Sequence, residues 1–262
     1  MKFEVCVDSV SSARAAKEGG ADRVELCESL MEGGLTPSLG KVEAVVRECE
    51  PLPVHVLVRP RSGDFCYSDT DFNVMLRDVR ACGESGAAGV VIGVLLPDGR
   101  VDDPRMSVLL SAARALGLSV TLHRAVDASR DVVEAALAGA RLGVDFILTS
   151  GGEHCAEAGA ENIRRMRVAL EALPLRPIPA IIAAGGISSL NVAHIVRVSG
   201  VTQVHGTARP PGAVPGAMTF QKSPPVYMGG EKQNTPEAEY GIRVATAESV
   251  KVVVEALAKL QS

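Results

Sequence analysis

One joint recurs four times along the chain, and it restricts the fold more than any other feature. A glycine, a small residue or valine, two variable positions and an apolar residue occur as Gly20-Ala21-Asp22-Arg23-Val24, Gly86-Ala87-Ala88-Gly89-Val90, Gly143-Val144-Asp145-Phe146-Ile147 and Gly200-Val201-Thr202-Gln203-Val204. The glycines lie 66, 57 and 57 residues apart. Each interval has room for two strand–helix units, so the joints lead into even-numbered strands. Odd-numbered strands, starting near residues 3, 54, 119 and 179, fall between them. Eight strands with intervening helices over about 250 residues match an α/β, single-domain TIM (β/α)8 barrel spanning 1–262. A doubly wound open sheet is the alternative, but the first loop has no G-x-G-x-x-G and gives a dinucleotide site no support. Helices are expected over about 39–48, 69–84, 104–116, 130–142, 160–172 and 189–198. Ser11 or Ser12 is a candidate cap for the first helix and Asp69 for the third. The Pro- and Gly-rich segment 210–240 has no clear period, and 245–260 reads as an amphipathic last helix.

Composition narrows the partners. The chain is 47% hydrophobic and 22% charged with a net charge of −4, ordinary for a soluble protein and unlike a nucleic-acid binder. No apolar run of about 18 residues suggests a membrane span. The N-terminus enters a strand pattern directly, without the apolar core of a signal peptide. The six cysteines form no C-x-x-C pair and are expected to be free thiols in a reducing compartment.

Alternation assigns strand faces. Glu4, Cys6 and Asp8 share one face of the first strand, and Glu25 and Cys27 share one face of the second. His55, Leu57 and Arg59 share a face of the third, Thr121 and His123 of the fifth, and Gln203 and His205 of the eighth. The opposite faces are apolar and suit packing against helices, so the polar sets point into the barrel. Glu4, Glu25, Arg59, His123 and His205 thus collect inside, with Thr149. Arg61, Arg124, Asp127 and Arg209 follow at the rim. Buried charges are costly unless paired, and such clusters accompany chemistry as well as structural ion-pair networks. Glu4, Glu25, His123 and His205 are candidate acids and bases. Arg59, Arg61, Asp64, Arg124, Asp127 and Arg209, with Thr149, Ser150, Gly185 and Gly186 after strands six and seven, are candidates for holding a small anionic metabolite. Cys6 and Cys27 fall on the inward faces of adjacent strands. If level, they offer two thiolates to a soft ion such as Cu(I). Plain packing is the competing role, because free cysteine is a common core residue.

Val58-Arg59-Pro60-Arg61-Ser62-Gly63-Asp64-Phe65-Cys66-Tyr67-Ser68 is the most distinctive stretch. Proline stiffens the chain there, and Phe65 and Tyr67 are expected to cover the mouth. Arg59 is expected to face Glu4, Glu25 and His123. This stretch, with Glu4-Val5-Cys6-Val7-Asp8-Ser9, Ala21 to Cys27, Thr121-Leu122-His123-Arg124-Ala125-Val126-Asp127, Leu148 to Gly151, Gly185-Gly186-Ile187 and Val204-His205 to Arg209, resembles the CutC family of copper homeostasis proteins. The resemblance runs from residue 3 to about 260. It implies a (β/α)8 barrel, a homo-oligomer (dimer or tetramer), a cytoplasmic setting and copper (Cu+) handling, with Cys6 and Cys27 matching the suggested Cu(I) ligands of animal members. The chain departs from the family's T-F-H-R-A-F-D, with Leu122 and Val126 in place of both aromatics, and its 211–217 loop is atypical. Three functions follow: a Cu(I)-binding homeostasis protein, an enzyme acting on a small phosphorylated or carboxylated metabolite, or a scaffold that has lost its activity. Convergence of His123 and His205 on one point would weigh against the last.

Overall fold

The computed structural model describes residues 1–174, 176–218, 220, 223, 226, 235 and 240–260. Eight parallel strands close in sequence order: β1 (Lys2–Val7), β2 (Arg23–Leu26), β3 (Val54–Leu57), β4 (Gly89–Ile92), β5 (Ser119–Leu122), β6 (Phe146–Thr149), β7 (Ala180–Ala184) and β8 (Gln203–Gly206). β8 pairs back onto β1, with Glu4 opposite His205. Helices follow the strands: α1 (Val10–Glu18), α2 (Leu39–Cys49), α3 (Asp69–Glu84), α4 (Asp103–Ala115), α5 (Val132–Leu142), α6 (Ala160–Glu171), α7 (Val192–Ser199) and α8 (Ala247–Ala258). This is the expected TIM barrel. No helix among the described residues is long and apolar enough to cross a membrane.

The recurrent joint has a backbone cause. Gly20, Gly86, Gly143 and Gly200 all sit at positive φ (85°, 82°, 82° and 73°), where a side chain would be strained. They turn the chain out of a helix and into the next strand. Helix starts are fixed by side chains that satisfy orphan N–H groups. Ser9, not Ser11 or Ser12, caps α1 by accepting from the Ser12 N–H. Ser68, not Asp69, caps α3 in a reciprocal capping box with Asp71.

The outer strand faces (Val5, Val7, Val24, Leu26, Val56, Val90, Val120, Ile147) join the helices in one large apolar cluster. The inside of the barrel is divided. Leu148, Ile182 and Ala184 make an apolar patch on β6 and β7. The β1, β2 and β8 side is polar. Two expectations need correction. β3 ends at Leu57, so Arg59 stands on the loop beyond it. The segment 210–240 was expected to have no regular structure, yet Val214–Pro215 pairs antiparallel with Gly241–Ile242. Much of the rest of that segment lies outside the described residues.

Candidate functional site

A cavity of about 560 Å³ opens at the C-terminal ends of the strands. Of the residues singled out from the sequence, Cys6, Glu25, Cys27, Arg59, His123, Arg124, Asp127, Gly185, Gly186 and His205 line it. Glu4, Arg61, Asp64, Thr149, Ser150 and Arg209 are not among its lining residues. His123 and His205 both line this one cavity.

The β1, β2 and β8 wall is a network of shared protons. Glu4 is 2% exposed and lies between Arg23 and His205. The Arg23 Nε–H donates to Glu4 Oε2, and Arg23 Nη2 reaches Gln203 Oε1 at 3.2 Å. His205 Nδ1 lies 2.7 Å from Glu4 Oε1 and 3.9 Å from Glu25 Oε2. Burial opposes the charge on Glu4. The His205 hydrogen bond and the charges of Arg23 and His205 prevail and hold its carboxyl at about 2. Glu25 behaves differently. Burial pushes it up to about 7, only partly offset by the His205 charge. Burial also works against the imidazolium of His205, but Glu25 and Glu4 outweigh it and raise that group.

Cys6 and Cys27 meet on the same wall. The register pairs Cys6 with Glu25, so Cys27 is not level with Cys6 but stands two positions further on, just past the end of β2. The two sulfurs are nonetheless 3.6 Å apart and buried. Cys6 Sγ is also 3.9 Å from Glu25 Oε1. The Cys27 contact, burial and the neighbouring carboxylates push the Cys6 thiol well above its usual range. One donor atom each from Cys6, Glu25 and His205 falls within 4.8 Å of the others. Two soft sulfurs beside an imidazole fit a soft cation, and a cation relieves the repulsion that keeps the thiol protonated.

The β3 and β5 wall is built on other terms. Arg59 does not face the carboxylates, contrary to the expectation from alternation. Its Nη1 donates to the Glu32 and Gly34 carbonyls (2.8 and 2.9 Å) and its Nη2 to the Gly63 carbonyl (2.9 Å). It thereby ties two loops together over the mouth. Phe65 lies under its guanidinium at 5.2 Å and against the His123 ring at 5.0 Å. Tyr67 does not cover the mouth. It is buried in the main core, with Arg61 over its ring at 5.0 Å. His123 Nδ1 accepts the Ala125 N–H at 3.1 Å. Burial and the Arg59 charge keep His123 neutral, its imidazolium pushed down to about 3.

The remaining candidates hold loops. Asp127 accepts from Thr149 Oγ1 (2.5 Å), the Ser150 and Gly152 N–H groups (both 3.0 Å) and Arg124 Nε (2.7 Å). That clamp joins the 3₁₀ turn after β5 to the loop after β6. Arg61 is taken by Asp64 (2.9 Å) and Asp71 (3.4 Å), and Arg209 by Asp8. The arginines expected to surround one anion are thus mostly paired elsewhere. Gly185 and Gly186 bring backbone to the cavity at positive φ (96° and 71°). Sequence reasoning missed Arg23, the partner of Glu4, although it shares a face with Glu25. It also left out His55, buried below Phe146 at 5.8 Å and driven by burial down to about 4.

Known proteins agree with this architecture. The CutC family model matches residues 1–210. A CutC family protein of Bacteroides fragilis is 38% identical over 97% of this chain and 96% of its own. One from Xanthomonas campestris is 42% identical over 91% and 95%. The chain belongs to the CutC family. A solved structure from Streptococcus agalactiae, bearing the name copper homeostasis protein CutC, superposes with a TM-score of 0.73 at 26% identity, covering 79% of this chain and 98% of that one.

Proposed function

We propose that this CutC family member handles copper by holding Cu(I) between Cys6 and Cys27. One observation carries the reading: two buried thiols in contact at 3.6 Å on adjacent strands, at the floor of an open mouth. The metal is cargo here. Binding replaces the Cys6 proton with a cation and removes the clash among sulfur and carboxylates, and His205 stands ready as a further donor. All six cysteines are free, which supports a reducing, cytoplasmic setting. The same reading carries a homo-oligomer, a dimer or tetramer, which light scattering would distinguish. Titration of Cu(I) under reducing conditions against a competing chelator tests the assignment. The wild type should take one Cu(I) per chain, and Cys6→Ser/Cys27→Ser should lose that site. Equal stoichiometry and affinity in both proteins sinks it.

A second reading makes the same mouth an enzyme site for a small carboxylated or phosphorylated metabolite, with Glu25 and His123 as acid and base candidates. It is favoured by His123 Nε2 and Glu25 Oε2, both buried at the cavity without a hydrogen-bond partner among the described residues. A metabolite that raises the melting temperature supports it, and a panel in which none does counts against it.

A further inference from the structure

Arg59 is 7% exposed and makes no ion pair among the described residues. Three backbone carbonyls take three of the five N–H donors of its fork, and none of them carries a charge. Its Nε–H makes no hydrogen bond among the described residues, although the Arg59 side chain lies near enough to the Tyr67 hydroxyl to favour that group's charged form. A buried cation without a counter-charge is costly, so this position calls for an anion. His123, 3% exposed, has a complementary need. Its Nδ1 is occupied as an acceptor by the Ala125 N–H, so the neutral ring carries its proton on Nε2. That Nε2–H is also buried without a partner among the described residues. Both residues line the mouth, and both pack on Phe65.

We propose that the β3 and β5 wall of the mouth is a carboxylate subsite, in which a small monocarboxylate accepts one hydrogen bond from Arg59 Nε–H and one from His123 Nε2–H, with its carbon skeleton against Phe65. A planar group with two acceptor oxygens matches two N–H donors flanking one ring. A single negative charge matches the single unpaired guanidinium. A phosphate dianion is disfavoured because Glu25, Glu32, Asp127 and Glu153 also line the cavity and would repel the second charge. The subsite rests on the second reading above and narrows its substrate class to carboxylates. It uses none of the proposed copper ligands, so a carboxylate could be bound with or without metal.

The test is a titration of full-length, metal-free protein with pyruvate, glycolate and inorganic phosphate, followed by ¹⁵N NMR of arginine Nε–H and histidine ring nitrogens. Pyruvate or glycolate should saturate, shifting the Arg59 Nε–H and His123 Nε2–H signals together, with phosphate binding at least about tenfold more weakly. His123→Ala, checked for an unchanged fold by circular dichroism, should weaken carboxylate binding about tenfold, the worth of one hydrogen bond. Arg59→Lys, which keeps the charge but not the Nε–H, should weaken it further. If phosphate binds in preference at the mouth, the carboxylate assignment falls while the enzyme reading stands. If no probe binds, both fall. Carboxylate binding that leaves the Arg59 and His123 signals unmoved, or that survives His123→Ala intact, also overturns the subsite.

Discussion

His205 and His123 close on one cavity from different walls, and their surroundings send them to opposite states. His205 stands between two carboxylates and is raised, so its wall shares protons among Glu4, His205, Glu25 and Cys6. His123 stands beside an unpaired guanidinium and is held neutral, so its wall offers fixed N–H donors. Burial is common to both and would lower both. The sign of the neighbouring charge decides the outcome. One wall is suited to a cation and the other to an anion, the contrast on which the two proposed readings of the mouth rest.

The largest effect should come from breaking the charged wall. Glu4→Ala leaves Arg23 buried with only Gln203 to bond, and loss of one partner of a buried pair costs about 3–5 kcal/mol. Urea denaturation measures it, and a loss below about 1 kcal/mol means that Arg23 finds compensation elsewhere. Next comes pH. Glu25 is raised from its ordinary 4.5 to about 7, so the native state binds a proton that the unfolded state has released. Stability from this group is complete below 4.5 and falls as pH rises toward 7, by an amount on the order of 3 kcal/mol. The raised His205 extends the fall above 6.5. Glu4 has the opposite sign: its contribution is present above 4.5 and is lost as pH drops toward 2. Thermal melts from pH 4.5 to 8 should show the decline, and Glu25→Gln should flatten it. A flat wild-type profile would contradict the raised carboxyl.

How much of this contrast could be read from the chain depends on which property is asked for. Face was legible. Alternation turned Glu4, Glu25, His123 and His205 inward, and the charged and apolar periods defined the barrel. Height and partner were not. Cys6 and Cys27 are staggered by two positions, and their contact depends on how side chains lean across tilted strands, which no spacing encodes. Arg59 was expected to seek carboxylates but spends its fork on carbonyls from two loops, because the chain stops being a strand at Leu57. Rim arginines such as Arg61 and Arg209 found acids within their own loops or on the next strand end, a choice fixed by local turns. The cation-binding wall carries its own check. If Cu(I) displaces the raised Cys6 proton, its affinity should climb about tenfold per pH unit between pH 6 and 8 for that proton alone. Chelator competition across that range reads the slope, and a pH-independent affinity would remove Cys6 from the ligand set.

The donor wall can be disturbed without touching any charge. Gly93 follows β4, and a Cβ added there would stand 2.5 Å from Cε1 and Nδ1 of the His123 ring and 3.0 Å from the Ala125 Cβ. The ring cannot swing away freely, because Phe65 packs on it and the Ala125 N–H holds Nδ1. Gly93→Ala should therefore displace His123 at an overpacking penalty of about 1–3 kcal/mol. The three atoms nearest that Cβ all belong to His123 and Ala125, so the pH profile of stability and the Cu(I) stoichiometry should stay as in the wild type. Carboxylate binding should weaken at least as much as in His123→Ala. A variant that shifts the pH profile instead would mean that the two walls are mechanically one unit, and that the contrast between the histidines is set by the whole mouth and not by each residue's nearest charge.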